Sequence, residues 1–156
     1  MEDVTDAGIY ARESSYLDRH VQVGVAGGRV LRVSFPETPE DDAETDHPVL
    51  DRIFEYLDGL EEVAFDDLQV ALTMPTDQRA VLERVRDVPY GDQVDVRTLA
   101  RMTPELDHED NEDITLVRTA LDNNPAPILV PDHRVRDGPS AAPPSVEQKL
   151  RSLEGL

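Results

Sequence analysis

The stretch Asn123-Asn124-Pro125-Ala126-Pro127-Ile128-Leu129-Val130-Pro131-Asp132-His133-Arg134-Val135 decides the fold. Its prolines bound a short apolar segment, Ile128-Leu129-Val130, and Pro131 follows it. An acid, a base and a cation come next in succession, Asp132, His133 and Arg134.

Immediately upstream the apolar spacing is helical. Ile114, Val117 and Leu121 form a stripe on one helix, leaving Thr115, Arg118, Thr119 and Asp122 on the opposite face. A shorter helix is expected from Val94 to Met102. Before it, a helix starting at Thr76, capped by the threonine hydroxyl, buries Ala80, Val81, Val85 and Val88 and ends at Pro89-Tyr90-Gly91. Two short helices joined by a turn and preceded by a third make a helix-turn-helix, which is also an ordinary way to pack a small helical domain.

Further out, Val70-Ala71-Leu72 suggests a short extended segment before Pro75, and Leu50, Ile53, Phe54 and Leu57 lie on one face of a helix that Gly59 stops. Residues 36–48 form an acidic loop, with Glu37, Glu40, Asp41, Asp42, Glu44 and Asp46 too repulsive to pack. The first 35 residues alternate as strands: Gly8-Ile9-Tyr10-Ala11-Arg12, His20-Val21-Gln22-Val23-Gly24-Val25 and Arg29-Val30-Leu31-Arg32-Val33-Ser34-Phe35. Ala26-Gly27-Gly28 supplies a hairpin turn between the last two. The fold class is thus α/β of the α+β kind: an antiparallel sheet with a helix in residues 1–73, then a winged-helix-like helix-turn-helix domain in residues 74–156.

Composition bounds the function. The 156 residues hold 34 acids against 15 Lys and Arg, a net charge of −19, and 38% apolar residues, enough for a modest core of aliphatic side chains. No apolar run reaches the roughly 18 residues of a membrane span, and Met1-Glu2-Asp3 lacks the basic start of a signal peptide. A cytoplasmic protein with no membrane partner is expected. There is no cysteine, which excludes disulfides, thiolate metal sites and a thiol nucleophile.

So much acid argues against a phosphate-binding surface. Yet Lys149 is the single lysine beside 14 arginines and 20 aspartates, a bias that suits a halophile, specifically a haloarchaeal source. At about 1 M salt the Debye length falls to about 3 Å and remote repulsion fades. The alternative is an acidic mesophilic protein that avoids polyanions. Charge is also uneven: residues 1–73 carry −13 and residues 74–156 carry −6, the latter accounted for by Glu105, Asp107, Glu109, Asp110, Glu112 and Asp113. His108, Glu109, Asp110 and Asp113 have metal-ligand chemistry, but an acidic loop explains them, and neither metal nor cofactor is expected.

The sequence around Asp132 resembles the methylated-DNA-protein cysteine methyltransferase family, the suicide proteins that remove alkyl groups from guanine in DNA. The family pattern is Asn-Pro, a short apolar strand, then Pro-Cys-His-Arg-Val; every element is matched except the cysteine, replaced by Asp132. Thr76-Asp77-Gln78-Arg79-Ala80-Val81-Leu82 with Val88-Pro89-Tyr90-Gly91, then Thr98-Leu99-Ala100, then Leu153-Glu154-Gly155 follow in the family's order, so the resemblance covers about residues 74–156.

The resemblance implies that Asp132 holds the acceptor position, that His133 and Glu154 are the proton-handling pair, and that Asn124 is the hinge before the active strand. It places Val96 where the family has the tyrosine that presses on a flipped nucleotide's phosphate, and Thr115 where it has the arginine that fills the vacated base stack; Arg118 lies one turn on. Asp132 could accept a hydrogen bond from His133 or from a base's amino edge. Arg134 either pins the strand to a helix or contacts phosphate. His133 is a pocket residue or a buried structural histidine anchored by Glu154.

The implied function is that of an alkyltransferase-like DNA-binding protein in DNA repair. It binds DNA, alkylated or not, through Thr115, Arg118, Thr119 and Arg134 without transferring the group, and has a repair protein as a further partner. The reading from another class is a repurposed scaffold that binds a protein and ignores DNA. A third is an enzyme in which Asp132 accepts the alkyl group, or works with His133 as an acid-base pair.

Overall fold

The structure is a computed structural model that describes residues 7–156; Met1-Glu2-Asp3 lies outside the described residues. Three antiparallel strands come first, β1 (Gly8–Ser14), β2 (Arg19–Ala26) and β3 (Arg29–Ser34), in the order β1-β2-β3. Helices α1 (Pro48–Asp58), α2 (Thr76–Val85), α3 (Val96–Met102) and α4 (Asn111–Asp122) follow. A single 3-10 turn at Asp132–Arg134 and α5 (Pro144–Glu154) complete the chain. The mixed α/β fold is the one expected.

Strand alternation sets the inner face of the sheet. Val21, Val23 and Val25 of β2 are buried together with Val30 and Val33 of β3, and α1 packs on them through Leu50, Ile53, Tyr56 and Leu57. The β2–β3 hairpin closes at Gly27 and Gly28, with φ of 60° and 78°; two successive left-handed residues make the turn whose twist matches the strands, and glycine adopts it without a Cβ clash. One apolar cluster then continues from the sheet into α2, α3, α4 and α5, through Leu82, Leu99, Leu121 and Leu150.

Both sheet edges are covered by loops. Ala11 N–H donates to the Glu44 carbonyl at 2.8 Å and Glu44 N–H to the Ile9 carbonyl at 3.1 Å. The acidic loop therefore does pack, by its backbone, while its carboxylates stay exposed. On β3, Val30 bonds Gln69 and Ala71, a single bridge at Val70 in place of an extended segment. Three residues further along β3, Val33 N–H donates to the Pro125 carbonyl at 2.9 Å. That bond ties the sheet to the proline-rich stretch.

Several local expectations change. Thr76 is the first helical residue of α2 and caps nothing; Pro75 precedes it with no side-chain bond. The next helix begins at Val96, because the Asp95 carboxylate caps it by accepting from Thr98 N–H. Asp110 caps α4 in the same way, accepting from Glu112 N–H, and Glu112 and Asp113 lie in its first turn, where negative charge is favoured. The acidic loop before α4 is thus partly a capping device. A strand pair that would form a wing is represented among the described residues only by the bridge between Val94 and Val135.

Candidate functional site

No strand precedes Asp132. Residues 125–131 include three prolines, which cannot donate to a ladder, and Ile128 sits at φ 81°. That left-handed conformation is strained for a β-branched residue, on the order of 1–3 kcal/mol. It is held because the Ile128, Leu129 and Val130 side chains are buried and Val130 N–H closes on the Ala126 carbonyl at 2.8 Å. The expected strand-turn is therefore a compact loop followed by the 3-10 turn. The loop delivers Asp132, His133 and Arg134 to the interior, where all three are buried.

Two clusters form around the turn. At its far end stands Glu154, in the last turn of α5, where the helix dipole disfavours a carboxylate. Five hydrogen bonds offset this. Oε1 accepts from Arg134 Nε at 2.9 Å and Gly91 N–H at 3.0 Å; Oε2 accepts from the Tyr56 hydroxyl at 2.5 Å, His133 Nε2 at 2.7 Å and Arg134 Nη2 at 3.0 Å. Burial pushes the Glu154 carboxyl upward, but the bonds from His133 and Arg134 outweigh it and hold the pKa at about 2.

Ionised Glu154 only accepts, so His133 Nε2 carries the proton. The same N–H also faces the Tyr56 oxygen at 3.2 Å. His133 Nδ1 has no hydrogen-bond partner among the described residues. Arg134 finishes its commitments by donating Nη1 to the Val88 carbonyl at 2.7 Å and stacking 5.8 Å from the Tyr90 ring. Of the two roles open to Arg134, the structure shows pinning, and its guanidinium is withdrawn from the surface.

Asp132 is held differently. Its carboxylate is wholly buried and accepts from Asn124 Nδ2 and Ala141 N–H, both at 2.9 Å, and from the Ser140 hydroxyl at 2.6 Å. His133, one of the two donors suggested for Asp132, is not among them. Desolvation raises the Asp132 pKa above the usual carboxylate range, and the three neutral donors only partly oppose it. A carboxylate enclosed in this way is poorly placed to attack an alkyl carbon.

Asn124, Asp132, His133 and Glu154 are thus brought together, in two bonded pairs. Thr115, Arg118 and Thr119 lie elsewhere, exposed on α4, with Arg118 Nη1 donating to the Asp137 carbonyl at 2.9 Å. Val96 is buried and out of reach of a phosphate. His108, Glu109, Asp110 and Asp113 do not converge; Asp110 caps α4 and Asp113 accepts from Asp107 N–H. Among the described residues no helix is long and apolar enough to cross a membrane.

Sequence reasoning missed Tyr56, Ser140 and Ala141. Tyr56 was detectable, since it falls three residues after Ile53 and seven after Val49 on the buried stripe. Ser140 and Ala141 lie in a loop with no periodic signal.

Comparison with known proteins bears on the same residues. Residues 76–154 match the family model described as 6-O-methylguanine DNA methyltransferase, DNA binding domain. A methylated-DNA–protein-cysteine methyltransferase of Methanopyrus kandleri is 32% identical over 130 residues, spanning 80% of this chain and 93% of that protein. Among solved structures, the O6-methylguanine methyltransferase of Mycobacterium tuberculosis superposes with a TM-score of 0.71 at 18% identity, covering 95% of this chain and 90% of that one. The Mycobacterium tuberculosis OGT in complex with DNA gives 0.68 at 20% identity, covering 94% and 89%. The O6-methylguanine-DNA methyltransferase of Pyrococcus kodakaraensis gives 0.67 at 18%, covering 97% and 100%.

Proposed function

Given that the chain belongs to the 6-O-methylguanine DNA methyltransferase family, we propose that it is a cytoplasmic DNA-binding protein of DNA repair that engages alkylated DNA without accepting the alkyl group. The observation that carries the reading is Asp132. The chain has no cysteine, and the residue in the acceptor position is a buried carboxylate whose oxygens already accept three hydrogen bonds.

In this reading residues 1–73 support a DNA-binding part, residues 74–156, that meets the duplex with α4. Thr115, Arg118 and Thr119 reach a groove, while Arg134 acts from inside by fixing the turn. With one cation on that face, binding rests on hydroxyls, helix ends and shape more than on counterion release. The second reading, a repurposed scaffold that binds a protein and not DNA, is favoured by one observation: buried Val96 and short Thr115 stand where the family resemblance expects the two side chains that handle a flipped nucleotide.

The test is a duplex-binding titration in molar potassium chloride, with and without an alkylated guanine, followed by mass spectrometry of the protein. A shift abolished by Thr115 and Arg118 substitutions, tighter for the alkylated duplex and leaving no adduct, is expected. Equal affinity for the two duplexes removes lesion sensing and leaves DNA binding. No shift with either removes DNA binding, and an alkyl adduct on the protein overturns the non-transferring assignment.

A further inference from the structure

Asn124, Ser140 and Ala141 converge on Asp132, and the two side-chain donors are each oriented by a bond that does not involve Asp132. Asn124 Oδ1 accepts from Ala126 N–H at 3.0 Å, which fixes the amide so that Nδ2 faces inward, where it also meets the Val130 carbonyl at 2.9 Å. The Ser140 oxygen accepts from Ala142 N–H at 3.1 Å, leaving its own hydrogen for Asp132. Ala141 N–H is a backbone donor on the connection between the 3-10 turn and α5. The donors are therefore set up in advance, two on Oδ2 and one on Oδ1.

Asn124 and Ala141 also line a cleft of about 580 Å³ between the end of β3 and the 122–127 and 141–143 segments, with Arg32 and Ser34 on its other wall. On the first wall Asn124 Nδ2 and the Ala141 N–H are both engaged by Asp132. We propose that Asn124 Nδ2, Ser140 Oγ and Ala141 N–H form a receptor for one carboxylate, and that Asp132 fills it in cis, locking the 138–142 segment over the turn. The site is self-occupied. An external carboxylate takes the same place only when the Asp132 side chain is removed.

The assignment stands apart from DNA binding and is tested without DNA. Asp132→Gly lacks the atoms that acetate restores. Thermal unfolding of Asp132→Gly in potassium acetate, against potassium chloride at equal ionic strength, is expected to show a midpoint that climbs with acetate. Linkage requires this of any ligand that binds only the folded state. The wild-type protein shows no such acetate-specific rise, and Asp132→Gly combined with Ser140→Ala shows a weaker one. A folded Asp132→Gly protein that acetate does not stabilise beyond chloride overturns the proposal.

A second measurement stands if the glycine variant fails to fold. In Asp132→Ala, which lacks the added backbone freedom of glycine, the Ala141 N–H loses its acceptor, so amide exchange at Ala141 is expected to quicken by about tenfold, equivalent to roughly one hydrogen bond. Exchange at Val130, whose partner is Ala126, stays as it was. Unchanged exchange at Ala141 overturns the lock.

Discussion

Glu154 and Asp132 are buried carboxylates attached to one three-residue turn, and the first is surrounded by charge and the second by neutral dipoles. Glu154 has Arg134 across both oxygens, with His133 and the Tyr56 hydroxyl on one and Gly91 N–H on the other. Asp132 has an amide, a hydroxyl and a backbone N–H. Their pKa values consequently move in opposite directions from similar starting points, Glu154 down and Asp132 up. The lesson is that burial alone does not decide the state of a carboxylate; the charge of its partners does. The turn is electrostatically anchored at one end and marginal at the other.

The largest effect should come from breaking the charged end. Glu154→Gln leaves the Arg134 guanidinium buried without its counter-ion, and its amide NH2 must face donors. A loss of about 3–5 kcal/mol is expected, the range for removing one partner of a buried pair, read as the shift of the urea midpoint at fixed salt. A loss below about 1 kcal/mol would mean that water reaches Arg134 and that the contrast between the two ends is overstated.

Tyr56→Phe is a smaller perturbation of the same end. It removes one of five bonds to Glu154 and keeps the ring against Phe65 and Tyr90, at centroid distances of 5.7 and 6.0 Å. Hydrogen bonds to charged groups contribute roughly 1.5–3 kcal/mol, and the four remaining donors place the expected loss at the lower part of that range. The same denaturation series measures it. A loss as large as that of Glu154→Gln would show that Tyr56, and not Arg134, anchors the carboxylate.

How much of this was legible in the sequence follows from which interactions are periodic. The three strands, the glycine hairpin and the apolar faces of α1, α2 and α4 were readable, because alternation and helical spacing report burial directly. The strand that the resemblance implied before Asp132 does not form: the closure of Val130 on Ala126 makes the segment a loop with Ile128 left-handed. At the site, the His133–Glu154 pair was expected from the family resemblance, and the structure gives it. The enclosure of Asp132 was not expected, since Ser140 and Ala141 reach it from a loop whose path no local pattern encodes. Arg134 was left between two roles in the sequence, and its distance from Glu154 chooses one.

The smallest expected effect is a difference in slope, and it tests the sign of the contrast. Glu154 has a depressed folded pKa, so its stabilisation is present above the unfolded value of about 4.3 and is lost as pH falls toward about 2. Asp132 has a raised folded pKa, so the folded state binds its proton more readily than the unfolded chain does, and stability from this group falls as pH rises above about 3.9. The His133 charge opposes the rise at Asp132; Glu147 of α5, itself shifted up by burial and by Asp132, gives a stability slope of the same sign as that of Asp132. Replacing Asp132 with Asn removes the Asp132 proton and relaxes Glu147 while leaving the Glu154 cluster in place. As the solution is acidified from neutral pH toward about 3.9, wild-type stability should therefore gain on that of Asp132→Asn, and Glu154 contributes nothing to the difference because it contributes equally in both proteins. Parallel pH profiles would show that Asp132 titrates as a solvated carboxylate, and that the neutral end of the turn is open to water.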